Sequence, residues 1–242
     1  MSLTDYPRVQ RIQAKLRRHG LSSLFHVACL KLINLVLPFR ILRAFRAERP
    51  NLKHMACPPG YQAGFASAAE LARFSREPEN EMSPQFIAEA LGAGDKCYAI
   101  VHGDKLAAYG WCSTRPTPIG LPGLVLHFKS GYAYRYKGFT AAQHRGNRLH
   151  ALGVTHTLLH FLAKGSRGIR LYVESTNLDS LKSCSRMGCE MFGSIYLVRI
   201  FGRYFAFASP GCQRFDFRVE PATGPARQSQ RGKPGTGMSL KT

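Results

Sequence analysis

Between an apolar, tyrosine-rich run that ends at Thr140 and a helical pattern that begins near Leu149 lies a turn carrying His144, Arg145, Gly146 and Arg148. Strand, basic turn, helix start is the order that offers backbone N–H groups and the positive end of a helix to an anion. The same connection also occurs with no ligand, so the surrounding residues must decide. Residues 105–173 contain no Asp or Glu, yet carry Lys105, Arg115, Lys129, Arg135, Lys137, Arg145, Arg148, Lys164, Arg167 and Arg170. Folded surfaces usually mix their charges, so this run creates a positive field around the turn. Glu174 is the first carboxylate beyond it and the nearest candidate for a general base. Pairing of Glu174 with a neighbouring arginine stays equally open, and His127 and the strand tyrosines are further candidates. His156 and His160 are spaced to share one helix face, but no carboxylate or cysteine nearby completes a metal set. The serines of "NLDSLKSCS" have no neighbouring histidine and match no nucleophile elbow.

The composition narrows the partners. At 242 residues, 45% hydrophobic and 20% charged, the chain suffices for one well-buried globular domain with appendages. A formal net charge of +20 implies attraction to nucleic acid, an anionic membrane or a phosphorylated ligand. The 7 cysteines are scattered and form no C-x-x-C pair, which argues against a zinc knuckle. With no secretory signal in view, reduced thiols in a cytoplasm are expected.

The elements that must position these residues fall into three segments. Residues 1–50 read as a basic extension whose apolar run, Leu21 to Leu37, repeats at helical spacing. That run is short and holds Lys31 near its centre, so it makes a poor membrane span. A helix lying on an anionic membrane surface and a helix packed on the main domain are both open. Residues 51–220 read as the main domain and residues 221–242, rich in Pro, Gly and Ser, as a disordered tail. Within the domain, Ser67 and Ser83 each open a short helix, and Gly103-Asp104 turns a hairpin. "LVLHF" and "YAYRYKGF" read as strands, and a helix runs to about Lys164. "IRLYVEST" is a strand, Asn177 to Gly188 bound a helix, and a last hairpin turns about Gly202-Arg203. This order is that of a mixed α/β layer fold. Tyr132, Tyr134 and Tyr136 beside Arg135 and Lys137 invite an RNA reading, but alternation is also how a sheet buries a face. No RNA-binding signature is present, so nucleic acid is not the expected partner.

Two stretches resemble the GNAT superfamily of acyl-coenzyme A-dependent N-acyltransferases. "FTAAQHRGNRLH" is similar to that family's strand, phosphate turn and helix start, and "VESTNLDSLKSCSRMGC" to its later strand and helix. The order of elements from Gly60 to about Phe217 fits as well. The resemblance implies a mostly antiparallel central sheet with helices on both faces. It implies direct acyl transfer from acetyl-coenzyme A, or another acyl-CoA, to an amine or hydroxyl, with no metal. Phe139 and Thr140 would then offer backbone groups to the pantetheine arm, as the strand splays from the helix that starts at Gly146. Arg145, Gly146, Asn147, Arg148, Leu149 and His150 would hold the pyrophosphate. Arg148 and His150 stand where the family has glycines, while Arg148 adds a fork of donors suited to phosphate oxygens. Asn177 would orient the cofactor or its helix, and Ser180 would reach the cofactor. Cys184 stands where the family often has a Tyr that protonates the departing thiolate, and Glu174 would serve as base. The acceptor implied is a small molecule or polysaccharide precursor, met in the cytoplasm or at the inner membrane face through residues 1–50. The alternative is a GNAT-like module that has lost catalysis and binds an anionic polymer or membrane.

Overall fold

The computed structural model describes residues 7–222. Eight strands form the main sheet in the order β10-β9-β1-β8-β7-β4-β3-β2. They are β1 (Phe39–Ala47), β2 (Tyr61–Phe65), β3 (Lys96–His102), β4 (Lys105–Ser113), β7 (Ala133–Thr140), β8 (Ile169–Glu174), β9 (Glu190–Ile200) and β10 (Arg203–Ala208). A small sheet in the order β11-β6-β5 joins β5 (Thr117–Pro118), β6 (Leu124–His127) and β11 (Arg218–Pro221). The helices are α1 (Pro7–His19), α2 (Leu21–Val36), α3 (Ala68–Phe74), α4 (Pro84–Gly92), α5 (Leu149–Ala163), α6 (Leu178–Arg186) and α7 (Pro210–Arg214). Every pairing in the main sheet is antiparallel except that of β7 with β8.

Strand alternation explains why both faces are covered. On β3, Cys97 and Ala99 join Leu71, Phe74 and Ile87 of α3 and α4 in one core. The intervening Tyr98 and Ile100 join Leu149 and Leu152 of α5 in another. Across the sheet, Ile169, Leu171 and Val173 of β8 share a core with α5 and with Cys184 of α6. Tyr172 faces the other way, towards Leu126, Phe217 and Val219 of the small sheet. The expected serine caps hold: Ser67 forms a reciprocal capping box with Glu70, and Ser83 accepts from the Phe86 N–H.

The boundary expected at residue 50 does not exist in the sheet. β1 lies between β8 and β9 and pairs antiparallel with both. Its arginines, Arg40, Arg43 and Arg46, read in sequence as a basic flank of the apolar run. The segment is instead a bulged strand, whose register against β9 shifts between Ala44 and Phe45. Each arginine meets a partner from a flanking strand: Arg40 with Glu174 at 2.7 Å, Arg43 with Ser194 at 2.8 Å and Arg46 with Glu190 at 2.7 Å. Leu42, Ala44 and Phe45 fill the core between them. The apolar run does form a helix, α2, and no described helix is long and apolar enough to cross a membrane. β11 ends at Pro221, and residues 223–242, most of the expected tail, lie outside the described residues.

Candidate functional site

The sheet opens at its centre. β7 and β8 pair in parallel only at Ala133–Ile169 and Tyr134–Arg170. Beyond those positions β7 stays with β4 as far as Thr140, and β8 stays with β1 as far as Glu174. The opening thus lies between two strands, where the sequence reading put it between a strand and a helix. β7 also carries a bulge. Tyr109 pairs with Phe139 and Trp111 with Tyr136, so Gly110 alone opposes Lys137 and Gly138, and Lys137 takes a left-handed φ of 45°. A bulge frees backbone groups from the ladder. Phe139 stacks on Tyr109 with ring centroids 5.2 Å apart, and the buried Thr140 Oγ1 has no protein partner.

The basic turn folds back over the end of β7. The Arg145 Nε–H donates to the Thr140 carbonyl at 3.4 Å, and Gly146 adopts a φ of 90° with open space where a Cβ would stand. Asn147 donates to the Tyr61 hydroxyl at 3.1 Å. Arg148, exposed and left-handed at φ 58°, precedes the first residue of α5, and no side chain caps the helix. The first-turn N–H groups, including those of Leu149 and His150, therefore have no helical acceptor. Leu149 and His150 contribute only those backbone groups, because both side chains are buried. Enclosure, with the Arg135 charge added, lowers the His150 pKa to about 3, so the ring is neutral. Sequence reading did not single out Tyr61 or His102, which stand beside His144 of the turn. The Tyr61 hydroxyl and His144 Nδ1 lie 3.0 Å apart, and the His102 ring sits 5.5 Å from that of His144. Desolvation, then the neighbouring His102, holds the His144 pKa below its ordinary value. Tyr61 and His102 come from strand ends far away in sequence, so no local pattern announces them.

The far side of the opening bears the other expected residues. Asn177 caps α6 by accepting the Ser180 N–H at 3.1 Å, and Ser180 is wholly buried. That burial removes Ser180 as a direct cofactor contact. Cys184 is also 0% exposed, and its hydrogen bond with Cys189, together with burial, raises its pKa well above the ordinary thiol value. A thiol sealed in the core cannot protonate a leaving group. Glu174 accepts a 2.7 Å bond from Arg40 Nη1. The pair borders a cavity of about 210 Å³ that Leu30, Asn34, Ser175 and Thr176 also line. His127 faces Glu220 at 3.4 Å, away from the opening. His156 is bonded to the Met55 carbonyl and His160 packs on Phe65.

The tyrosines form a stacked row on one sheet face. Tyr134 lies 5.6 Å from Tyr136 and 6.2 Å from Tyr172, so the row crosses from β7 to β8. The Tyr136 hydroxyl donates to the buried Asp95 at 2.6 Å. Burial raises the pKa of all three tyrosines, which keeps their protons in place at neutral pH. The Lys137 pKa is lowered, chiefly by burial, beneath a contact in which Nζ sits 4.6 Å from the centroid of the Phe86 ring.

No family model matches the sequence, and no curated protein matches it. Solved structures similar to it include a GCN5-related N-acetyltransferase-like protein from Streptococcus suis, at 13% identity and a TM-score of 0.46, covering 73% of this chain and 67% of that one. A GNAT-family acetyltransferase from Colwellia psychrerythraea is similar at 18% identity and a TM-score of 0.45, with 70% and 56% covered. A GCN5-related N-acetyltransferase from Kribbella flavida is similar at 15% and 0.40, with 74% and 61% covered. Likeness at this level says nothing of activity. The mixed sheet with helices on both faces stands on the pairings and cores described above.

Proposed function

We propose that the chain is a divergent acyl-CoA-dependent acyltransferase of the GNAT type. The observation that carries this reading is the coincidence of the β7–β8 opening, the bulge at Lys137–Gly138 and the uncapped basic start of α5 at one end of the sheet. Parallel strands that part leave a slot at their carboxyl ends, and ligands of open sheets bind there. The residues present fit the donor. The first-turn N–H groups of α5 and the guanidinium groups of Arg145 and Arg148 suit a pyrophosphate. Thr140 Oγ1, orphaned and buried, suits one polar group of the pantetheine arm.

In the transfer, the acceptor nitrogen or oxygen forms a bond to the acyl carbon and the carbon–sulfur bond breaks. The acceptor's proton leaves to solvent or a base, and the departing thiolate takes up a proton. With Cys184 sealed in the core, that proton comes from solvent. The acceptor, a small molecule such as an amino sugar or a polysaccharide precursor, would be held over the sheet by the residue 116–123 loop.

Calorimetry of the full chain with acetyl-coenzyme A tests the reading. Micromolar binding that Arg145→Ala with Arg148→Ala weakens by about a hundredfold supports it; each charge-assisted hydrogen bond is worth ~1.5–3 kcal/mol. No heat at millimolar acetyl-coenzyme A sinks it. A second reading, a non-catalytic module for an anionic ligand, is favoured by one observation: both residues expected to do proton transfer are tied up, Glu174 by Arg40 and Cys184 by burial. Cofactor binding without turnover across a screen of amine and hydroxyl acceptors selects it.

A further inference from the structure

We propose that α2 and the β9–β10 hairpin form one face that docks on an anionic lipid bilayer, independently of what the sheet opening binds. Helix α2 leaves Leu21, Phe25, Leu32, Leu35 and Val36 exposed, Val36 to 90%. These are large apolar groups of a helix that already has an inward face, marked by the buried Leu30 and by a 3.1 Å bond from His26 to Ser175. The hairpin tip lies at the end of the same helix. The chain passes from α2 through Pro38, whose carbonyl accepts the Arg199 N–H at 2.9 Å, and Phe39 pairs with Val198. Three residues past Val198, Phe201 is fully exposed and left-handed, with a φ of 46°. A bulky aromatic residue bears both backbone strain and hydration of its ring there, and a turn alone would be better served by Gly or Asn. Nothing within the described chain repays either cost.

The charge around these apolar groups selects the occupant. Residues 21–47 and 191–215 contain no Asp or Glu. Lys31, Arg199 and Arg203 stand exposed beside the apolar groups. An apolar insertion rimmed by cations is what an anionic bilayer surface binds, through buried area and electrostatic attraction together. A second copy of the chain would bring like charges face to face. A soluble polyanion would use the cations and leave Leu35, Val36 and Phe201 in water. With no helix able to span, the mode is insertion of side chains at the headgroup boundary.

Trp111 is the protein's single tryptophan and is fully buried, so Phe201→Trp places a lone reporter at the tip. Full-length F201W is mixed with vesicles of phosphatidylcholine alone, or with about one third phosphatidylglycerol. With the anionic vesicles, a blue shift of the introduced indole and its quenching by brominated acyl chains are expected, and neither with phosphatidylcholine alone. Leu35→Ser with Val36→Ser, both at exposed positions, is expected to lower the vesicle partition coefficient by about tenfold or more while the circular dichroism spectrum is unchanged. Co-sedimentation with an unshifted indole overturns the proposal, because it is adsorption of a basic protein by charge alone. Absence of binding to anionic vesicles overturns it too. A shift that grows with protein concentration in the absence of vesicles overturns it in favour of self-association.

Discussion

At the scale of single residues, the chemistry lies in backbone groups and in side chains held by distant neighbours. Leu149 and His150 bury their side chains, which leaves their N–H groups as what they can offer a ligand. On the proposed reading, a turn without the expected glycines holds its anion through such N–H groups, with Arg145 and Arg148 adding the specificity. Tyr172→Phe is expected to leave kcat within about twofold and to cost about 1 kcal/mol of stability, since its hydroxyl lies in the buried tyrosine row. Cys184→Ala is expected to keep kcat within about twofold and to cost stability through a core cavity, by about 1 kcal/mol or more. Steady-state kinetics and urea unfolding on the two variants check this. A collapse of activity in a folded Cys184→Ala protein would return the donor role to the thiol.

Secondary-structure elements show where local reading suffices and where it misleads. Ser67 and Ser83 were legible as caps because capping is decided within four residues. Ser67→Ala is expected to cost ~1 kcal/mol in thermal or urea unfolding. β1 was not legible, because its arginines read as a basic flank of the apolar helix, and the strands that answer them come from residues 169–200. A chain beginning at residue 51 lacks a central strand and exposes the edges of β8 and β9. It is expected to be insoluble or unfolded, whereas a chain beginning at Pro38 keeps a cooperative transition. Dispersed amide spectra from the shorter chain would show that β1 is dispensable.

For the molecule as a whole, the positive charge is both resource and burden. Arg135 is 3% exposed and lies against Gly110 and Gly153, with a guanidinium bond to Thr157 at 3.1 Å. Burial of His150, and then the Arg135 charge, keep that ring neutral down to about pH 3. In the unfolded chain His150 binds a proton below ~6.5. Between those values the unfolded state holds more protons, so this group's contribution to stability is full above ~6.5 and falls as pH falls through the window. From pH 7 to pH 5 the wild type is expected to lose about 2 kcal/mol more than His150→Gln, as read from urea midpoints. Parallel pH profiles for the two proteins would remove His150 from the account.

By itself the sequence determined the elements whose causes are local: the serine caps, the Gly103-Asp104 and Gly202 turns, the Asn177 cap and the basic turn before α5. It also determined the positive field, because an acid-free run is positive however it folds. Only the tertiary structure decided that β7 and β8 part after two pairs, that the bulge sits at Lys137, and that Cys184 is sealed in the core. It likewise decided that Glu174 is spoken for by Arg40, a residue 134 positions away along the chain. The division follows the range of the forces: caps and turns are satisfied within a few residues, whereas burial, ion pairing and strand neighbours depend on which distant segment arrives alongside.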